Sequence, residues 1–308
     1  MSPLATALAE YLTIRRRLGF KLHTDGQLLS SFVASMDEQG ATTVTTELAT
    51  AWARRPTDAP PSRWAERLSV VRVFARYLRT VDPGTEVPSA DIFPARRQRA
   101  TPYLYSKADI DALLAAAGRL TSEHRAVTLA TLIGLLAVTG MRIGEAIRLD
   151  LEDIDWSEGS LTIRKSKFGK SREVVLHSTT IEALRAYSQR RQLFRPRPRT
   201  PSFFVSLTGT RLIYNNVHLT FHELVEEAGI RSRSPRCRPR PHDLRHTFAV
   251  NTLLGWYRDG LDVPSRMHLL STYLGHLDPA HTYWYLSATP ELLGLVSGRL
   301  ERTLGELP

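Results

Sequence analysis

The amino-acid sequence predicts a mainly α-helical protein in two domains, with one small antiparallel β-sheet confined to the second. Three observations carry that expectation. Apolar residues recur at helical spacing through most of the chain. One stretch, "GSLTIRKSKFGKSREVVLH", instead sets β-branched residues on either side of a short glycine-containing turn, the pattern of a hairpin. A length of 308 residues, 42% hydrophobic and 23% charged, suits two compact cores better than one.

From the N-terminus, "LATALAEYLTIRRRLGF", "TDGQLLSSFVASMDEQ", "TTELATAWARR" and "SRWAERLSVVRVFARYLRTV" each read as a helix, and together they make a helical domain over 1–90. Gly40, Pro56, Pro60-Pro61 and Pro83-Gly84 punctuate them. The stretch 81–103 holds proline, glycine and charge with little apolar periodicity, and residues 91–103 are read as the linker to a second domain over 104–290. That domain opens with "SKADIDALLAAAGRL", in which Ser106 is placed to cap a helix, followed by the apolar helix of "SEHRAVTLATLIGLLAVTG". The hairpin comes next, and helices resume at about 180–192, 214–228, 242–256 and 263–275. Residues 291–308 form an amphipathic tail.

Composition narrows the function classes. A formal net charge of +10 favours a polyanionic partner, nucleic acid first. The single cysteine, Cys237, excludes an intrachain disulfide framework and any multi-cysteine zinc knuckle. The apolar run 126–141 is shorter than the roughly 20 residues of a membrane span. No h-region with a cleavage site opens the chain, so a cytoplasmic location is expected.

Two motif matches fail on inspection. "FGKS" (168–171) lacks the glycine a phosphate-binding loop requires five residues before Gly169, where Arg164 stands inside the hairpin. "HDLRH" sets His242 and His246 four apart as zinc proteases do, but Asp243 replaces the glutamate and Arg245 would repel a metal.

Other features point towards an anion. His242 and Arg245 lie three apart on one helical face just after Pro241, and an arginine fork near a helix N-terminus suits phosphate. Arg142 falls in the first turn of a helix that follows Gly140, where the dipole disfavours a cation unless an anion or a carboxylate such as Glu145 compensates. Lys165, Lys167 and Lys170 surround the hairpin turn. In "GHLDPAHTYWYL", Asp278-Pro279 starts a helix on which Tyr283 and Tyr285 sit about 200° apart, so the two cannot face one site. Periodicity does not choose between them.

Arg142, a hairpin lysine, "HDLRH", "LGH" and a tyrosine beyond it, taken in this order over residues 104–290, resemble the tyrosine recombinase (phage integrase) family. The resemblance implies a nucleophilic tyrosine nine residues after His276, which is Tyr285, and a catalytic set of Arg142, Lys167, His242, Arg245 and His276 around it. Lys167 is chosen over its neighbours because the family's lysine stands three before another, as in "KFGK". It also implies a SAM-like, DNA-clamping core-binding domain ahead of a mixed α+β catalytic domain.

The activity so implied is site-specific DNA strand exchange through a 3′-phosphotyrosyl intermediate, with no cofactor, metal or small-molecule substrate. The implied partners are double-stranded DNA and further copies of the chain, four per exchange; the segment 291–308, amphipathic and close behind Tyr285, is expected to dock on a neighbouring protomer. "TYWYLSATPELL" resembles integrases borne on transposons. The alternatives are relaxation of supercoils in the manner of a type IB topoisomerase, and a non-catalytic DNA-binding regulator.

Overall fold

The computed structural model describes residues 2–93, 100–164, 171–276, 278–287, 292–294 and 297. The chain divides into two compact units, Met1–Arg99 and Ala100–Pro308.

Among the described residues, the first unit holds four helices, α1 (Pro3–Arg17), α2 (His23–Glu38), α3 (Thr46–Arg54) and α4 (Pro61–Leu78). Local chemistry starts each of them differently. Ser2 accepts from the Ala5 amide at 3.1 Å ahead of a first-turn proline, and Thr45 accepts from the Leu48 amide at 3.2 Å. Leu22, ahead of α2, takes φ of +46°, a left-handed conformation that leucine rarely adopts. The apolar faces meet over Phe32, Trp52, Leu68 and Phe74, with Phe32 edge-on to Trp52 at 5.3 Å. Ile92 and Phe93, which fall at the start of the stretch read as linker, pack on this same core.

The second unit begins with α5 (Lys107–Gly118), closed by a reciprocal capping box between Ser106 and Asp109, and α6 (Glu123–Thr139), capped by Ser122. A short helix α7 (Ile143–Arg148) leads into a three-stranded antiparallel sheet. Its strands are β1 (Ile154–Asp155), β2 (Ser160–Ile163) and β3 (Arg172–Val175), in the order β1-β2-β3. Ser160 pairs with Val175 and Ile163 with Arg172, so β2 and β3 are the predicted hairpin. The two-residue β1 is an addition that the sequence pattern did not show. Four long helices follow: α8 (Ser178–Phe194), α9 (Tyr214–Glu227), α10 (Asp243–Arg258) and α11 (Val263–Leu274). A single turn, α12 (Ala280–Tyr283), runs on as a 3-10 turn at Trp284–Ser287.

The main core of this unit gathers α5 to α9 around the sheet, with Leu132, Leu161, Phe203 and Phe204 wholly enclosed. A smaller cluster joins α10 and α11 to Tyr285 through Ala249, Leu253 and Leu270. The candidate site lies where α6, α10 and α11 end or begin beside the base of the hairpin.

Candidate active site

Arg142 stands at the N-cap position of α7, just ahead of its first turn and not within it, a correction to the reading of the sequence. Gly140 makes the abrupt exit from α6 with φ of +59°, so Arg142 has extended backbone and its side chain turns back. Its amide donates to Glu145 Oε2 at 2.9 Å, its Nη1 to Glu145 Oε1 at 2.8 Å, and its Nη2 to the Gly275 carbonyl at 3.2 Å.

Glu145 is itself shared. Arg172, the first residue of β3, donates Nη1 and Nη2 to its two oxygens at 3.1 and 2.8 Å, and Nε to the Tyr273 carbonyl at 2.8 Å. Burial pushes the Glu145 carboxyl up, but the Arg172 guanidinium foremost, and then Arg142, hold it down at about 2. One carboxylate thus faces two guanidiniums, and the side chain of Arg142 keeps 28% exposure against 10% for Arg172. Arg142 is the member of the trio left able to meet an anion.

Arg245, in the first turns of α10, is only 2% exposed. Its Nη1 donates to the carbonyl of Gly140 at 2.9 Å and its Nη2 to that of Leu274 at 2.6 Å. Those carbonyls close α6 and α11, the negative ends of two helix dipoles. They fix the guanidinium without cancelling its charge. Burial first, and Arg142 next, lower its pKa to about 10, which still leaves it protonated at neutral pH. His242, exposed, stands just ahead of the helix with its ring edge-on to His246 at 4.8 Å.

Beyond α11, Gly275 turns the chain with φ of +68°, and its lack of a side chain admits Arg172: an added Cβ would stand 2.8 Å from Nη1. His276 follows, half-buried, with Nδ1 2.7 Å from Thr282 Oγ1 and its ring stacked on Tyr285 at 6.2 Å and 22°. Burial, then the charges of Arg245 and Arg142, push its imidazole down to about 3, so it stays neutral through the physiological range.

Asp278 Oδ1 accepts from the Ala280 amide at 2.9 Å, and the turn it starts sends the two tyrosines to opposite sides. Tyr283 is 50% exposed and Tyr285 is 2% exposed. The Tyr285 ring belongs to the apolar cluster, yet its hydroxyl lies 3.1 Å from Nδ1 of His246. Arg142 is therefore brought together with His242, Arg245, His276 and Tyr285, which follow it by a hundred residues or more. Lys165, Lys167 and Lys170 lie outside the described residues, although Arg172, at the foot of their hairpin, reaches the site. Sequence reasoning passed over Arg172 and Thr282, and weighed His246 only as a metal ligand. An arginine beside a charged turn reads as solvated, and its real partners are 27 and 101 positions away.

Residues 104–291 match the model of the Phage integrase family. A protein of Sinorhizobium fredii described as an integrase/recombinase, y4rB, is 45% identical over 98% of both chains. The tyrosine recombinase XerD of Caulobacter vibrioides is 32% identical, covering 76% of this chain and 73% of its own. Among solved structures, the Tn1549 transposon integrase in complex with transposon right end DNA superposes with a TM-score of 0.65 at 16% identity, covering 98% of this chain and 100% of the other. At that identity the likeness is one of fold.

Proposed function

The chain belongs to the phage integrase family of site-specific recombinases, and from that premise we propose that it cuts and rejoins duplex DNA through a covalent 3′-phosphotyrosyl bond on Tyr285. The observation that supports this reading is the convergence of two guanidiniums, Arg142 and Arg245, on a neutral His276 stacked against that phenol.

A phosphodiester is anionic and resists a nucleophile, so catalysis needs positive charge set in place before the pentavalent transition state forms. Arg142 and Arg245 supply it to the nonbridging oxygens, and their fixed carbonyl and carboxylate partners remove the cost of orienting them during reaction. His276, held neutral, donates a hydrogen bond to a phosphate oxygen. Lys167 protonates the departing 5′ oxygen. The new ester conserves the energy of the broken bond, so religation runs back through the same groups without an external energy source.

With Tyr285 and Arg245 both 2% exposed, the nucleophile and one guanidinium are enclosed, and DNA engagement must draw the turn that carries Tyr285 outward. Strand exchange joins two duplexes and cuts four strands, which calls for four protomers, and 291–308 is the segment we assign to docking between them. The net charge of +10 makes binding to double-stranded DNA salt-sensitive.

A duplex nicked beside its cleavage position traps the covalent complex, because the released fragment diffuses away. Wild-type protein and the Tyr283→Phe variant should accumulate the adduct and Tyr285→Phe should not. A wild type that binds the duplex and never forms an adduct would reduce the protein to a DNA-binding regulator.

A further inference from the structure

We propose that Arg172 is a positioning residue for the strand cleavage assigned above: it takes up the charge of Glu145 and so leaves Arg142 cationic towards the phosphate. The inference rests on the reading of Tyr285 as the nucleophile and adds the group that keeps the site around it positive.

Arg142 and Arg245 are held in different ways. The partners of Arg245 are carbonyls, which orient its guanidinium and leave its charge intact. Arg142 is tied instead to a carboxylate, meeting Glu145 through its Nη1 at 2.8 Å and its amide at 2.9 Å. A pair closed between those two alone would be neutral, and a neutral pair does little for an anionic transition state. Arg172 changes that balance. It meets Glu145 with a fork of both Nη atoms, one to each oxygen, at 3.1 and 2.8 Å, the strong geometry for a guanidinium on a carboxylate. Its Nε donates to the Tyr273 carbonyl at 2.8 Å, so each of its three nitrogens has a partner within the protein. Burial opposes the ionisation of Glu145, and of the two arginines Arg172 does more to hold it charged. Two cations and one anion leave the trio with a net charge of +1, and the side chain that exposes it is that of Arg142.

Stability alone does not call for Arg172. The Glu145 oxygens already accept from the amide and the Nη1 of Arg142, and taking a further cation out of water carries a desolvation cost. The chain nonetheless makes room for it. An added Cβ at Gly275 would stand 2.8 Å from its Nη1, in the same residue whose carbonyl accepts from Arg142. A surplus of positive charge kept at 10% exposure serves an anionic transition state, whereas a device for stability would avoid it.

The test measures single-turnover adduct formation by the full chain at saturating nicked duplex, with two versions of the cleavage position. One is the natural phosphodiester; the other is a methylphosphonate, in which a methyl group replaces one nonbridging oxygen and the ground state carries no charge. Arg172→Gln should slow the reaction about 100-fold on the phosphodiester and under about threefold on the methylphosphonate. Comparing the two duplexes with one preparation cancels any loss of folded protein. Adding Glu145→Gln removes the carboxylate that then neutralises Arg142, and should bring the ratio between the duplexes at least about tenfold back towards wild type. A duplex with sulfur at the 5′ bridging position, whose leaving group needs no acid, should leave the deficit of Arg172→Gln in place. Rescue by that sulfur would mean that Arg172 only steadies the hairpin of Lys167, and overturns the proposal. So does an Arg172→Gln that reacts within about threefold of wild type on the phosphodiester, a deficit equal on the phosphodiester and the methylphosphonate, or a ratio that Glu145→Gln leaves unchanged. In each of those cases an adduct formed by wild type and lost in Tyr285→Phe leaves the underlying reading intact. An adduct that survives Tyr285→Phe removes that reading.

Discussion

Replacing Glu145 by glutamine keeps the shape of the side chain and removes the one charge that organises two arginines. Its carboxyl is 2% exposed and held at about 2, against an ordinary 4.5, by Arg172 and Arg142 acting against its burial. That depression corresponds to about 3 kcal/mol in favour of the folded state when the group is ionised. A lowered carboxylate contributes stability in full above its unfolded value and loses it as pH falls towards the folded one. Glu145→Gln should therefore cost about 3 kcal/mol at pH 7, within the range for breaking a buried pair. At pH 3 the cost should fall to about 1 kcal/mol, because wild type has by then lost most of its advantage. Urea titrations read by hydrogen exchange on peptides from α7 and α11 measure both values without interference from the first unit. Glu152→Gln, which breaks an exposed pair with Arg164 at 2.9 Å, is the control and should cost under about 1 kcal/mol at either pH. A cost for Glu145→Gln that is the same at pH 7 and pH 3 would refute the argument, since it would then come from shape and not from charge.

Three glycines with positive φ grade a second prediction. Gly229→Ala meets nothing within 4 Å and should cost about 1 kcal/mol of backbone strain, whereas Gly140→Ala sets a Cβ 2.5 Å from the Phe248 ring and should cost clearly more in a thermal melt. Gly275→Ala pushes on Arg172 at 2.8 Å and should depress adduct formation further than its effect on stability explains. His276, pushed down to about 3, should show no protonation between pH 8 and pH 5 by nitrogen NMR, and Arg142→Gln should raise its midpoint; a wild-type midpoint near 6.5 would contradict the electrostatics of the site. Ser106→Ala removes one half of a capping box and should destabilise the second unit by about 1 kcal/mol in the same urea assay.

What the sequence made legible is what local chemistry decides. Ser106 and Ser122 cap helices where the pattern put them, because a serine ahead of an apolar-periodic run has its partners within three residues. The hairpin and the opposite orientations of Tyr283 and Tyr285 follow from backbone geometry alone. What stayed hidden depends on distant partners. Arg142 looked like a first-turn residue because the abrupt exit at Gly140 has no periodic signal, and β1 is too short to show an alternation. Arg172 gains its meaning from Glu145 and Tyr273, and His246 from a hydroxyl 39 positions away, contacts that only tertiary packing creates.

The central claim is that Tyr285 takes the place of a deoxyribose in the DNA backbone. Trapping wild-type protein on the nicked duplex, digesting with nuclease and protease, and sequencing the modified peptide by mass spectrometry reads the attachment site directly. The account predicts a 3′-linked nucleotide on Tyr285; the same nucleotide on Tyr283, or on any other residue, would contradict it.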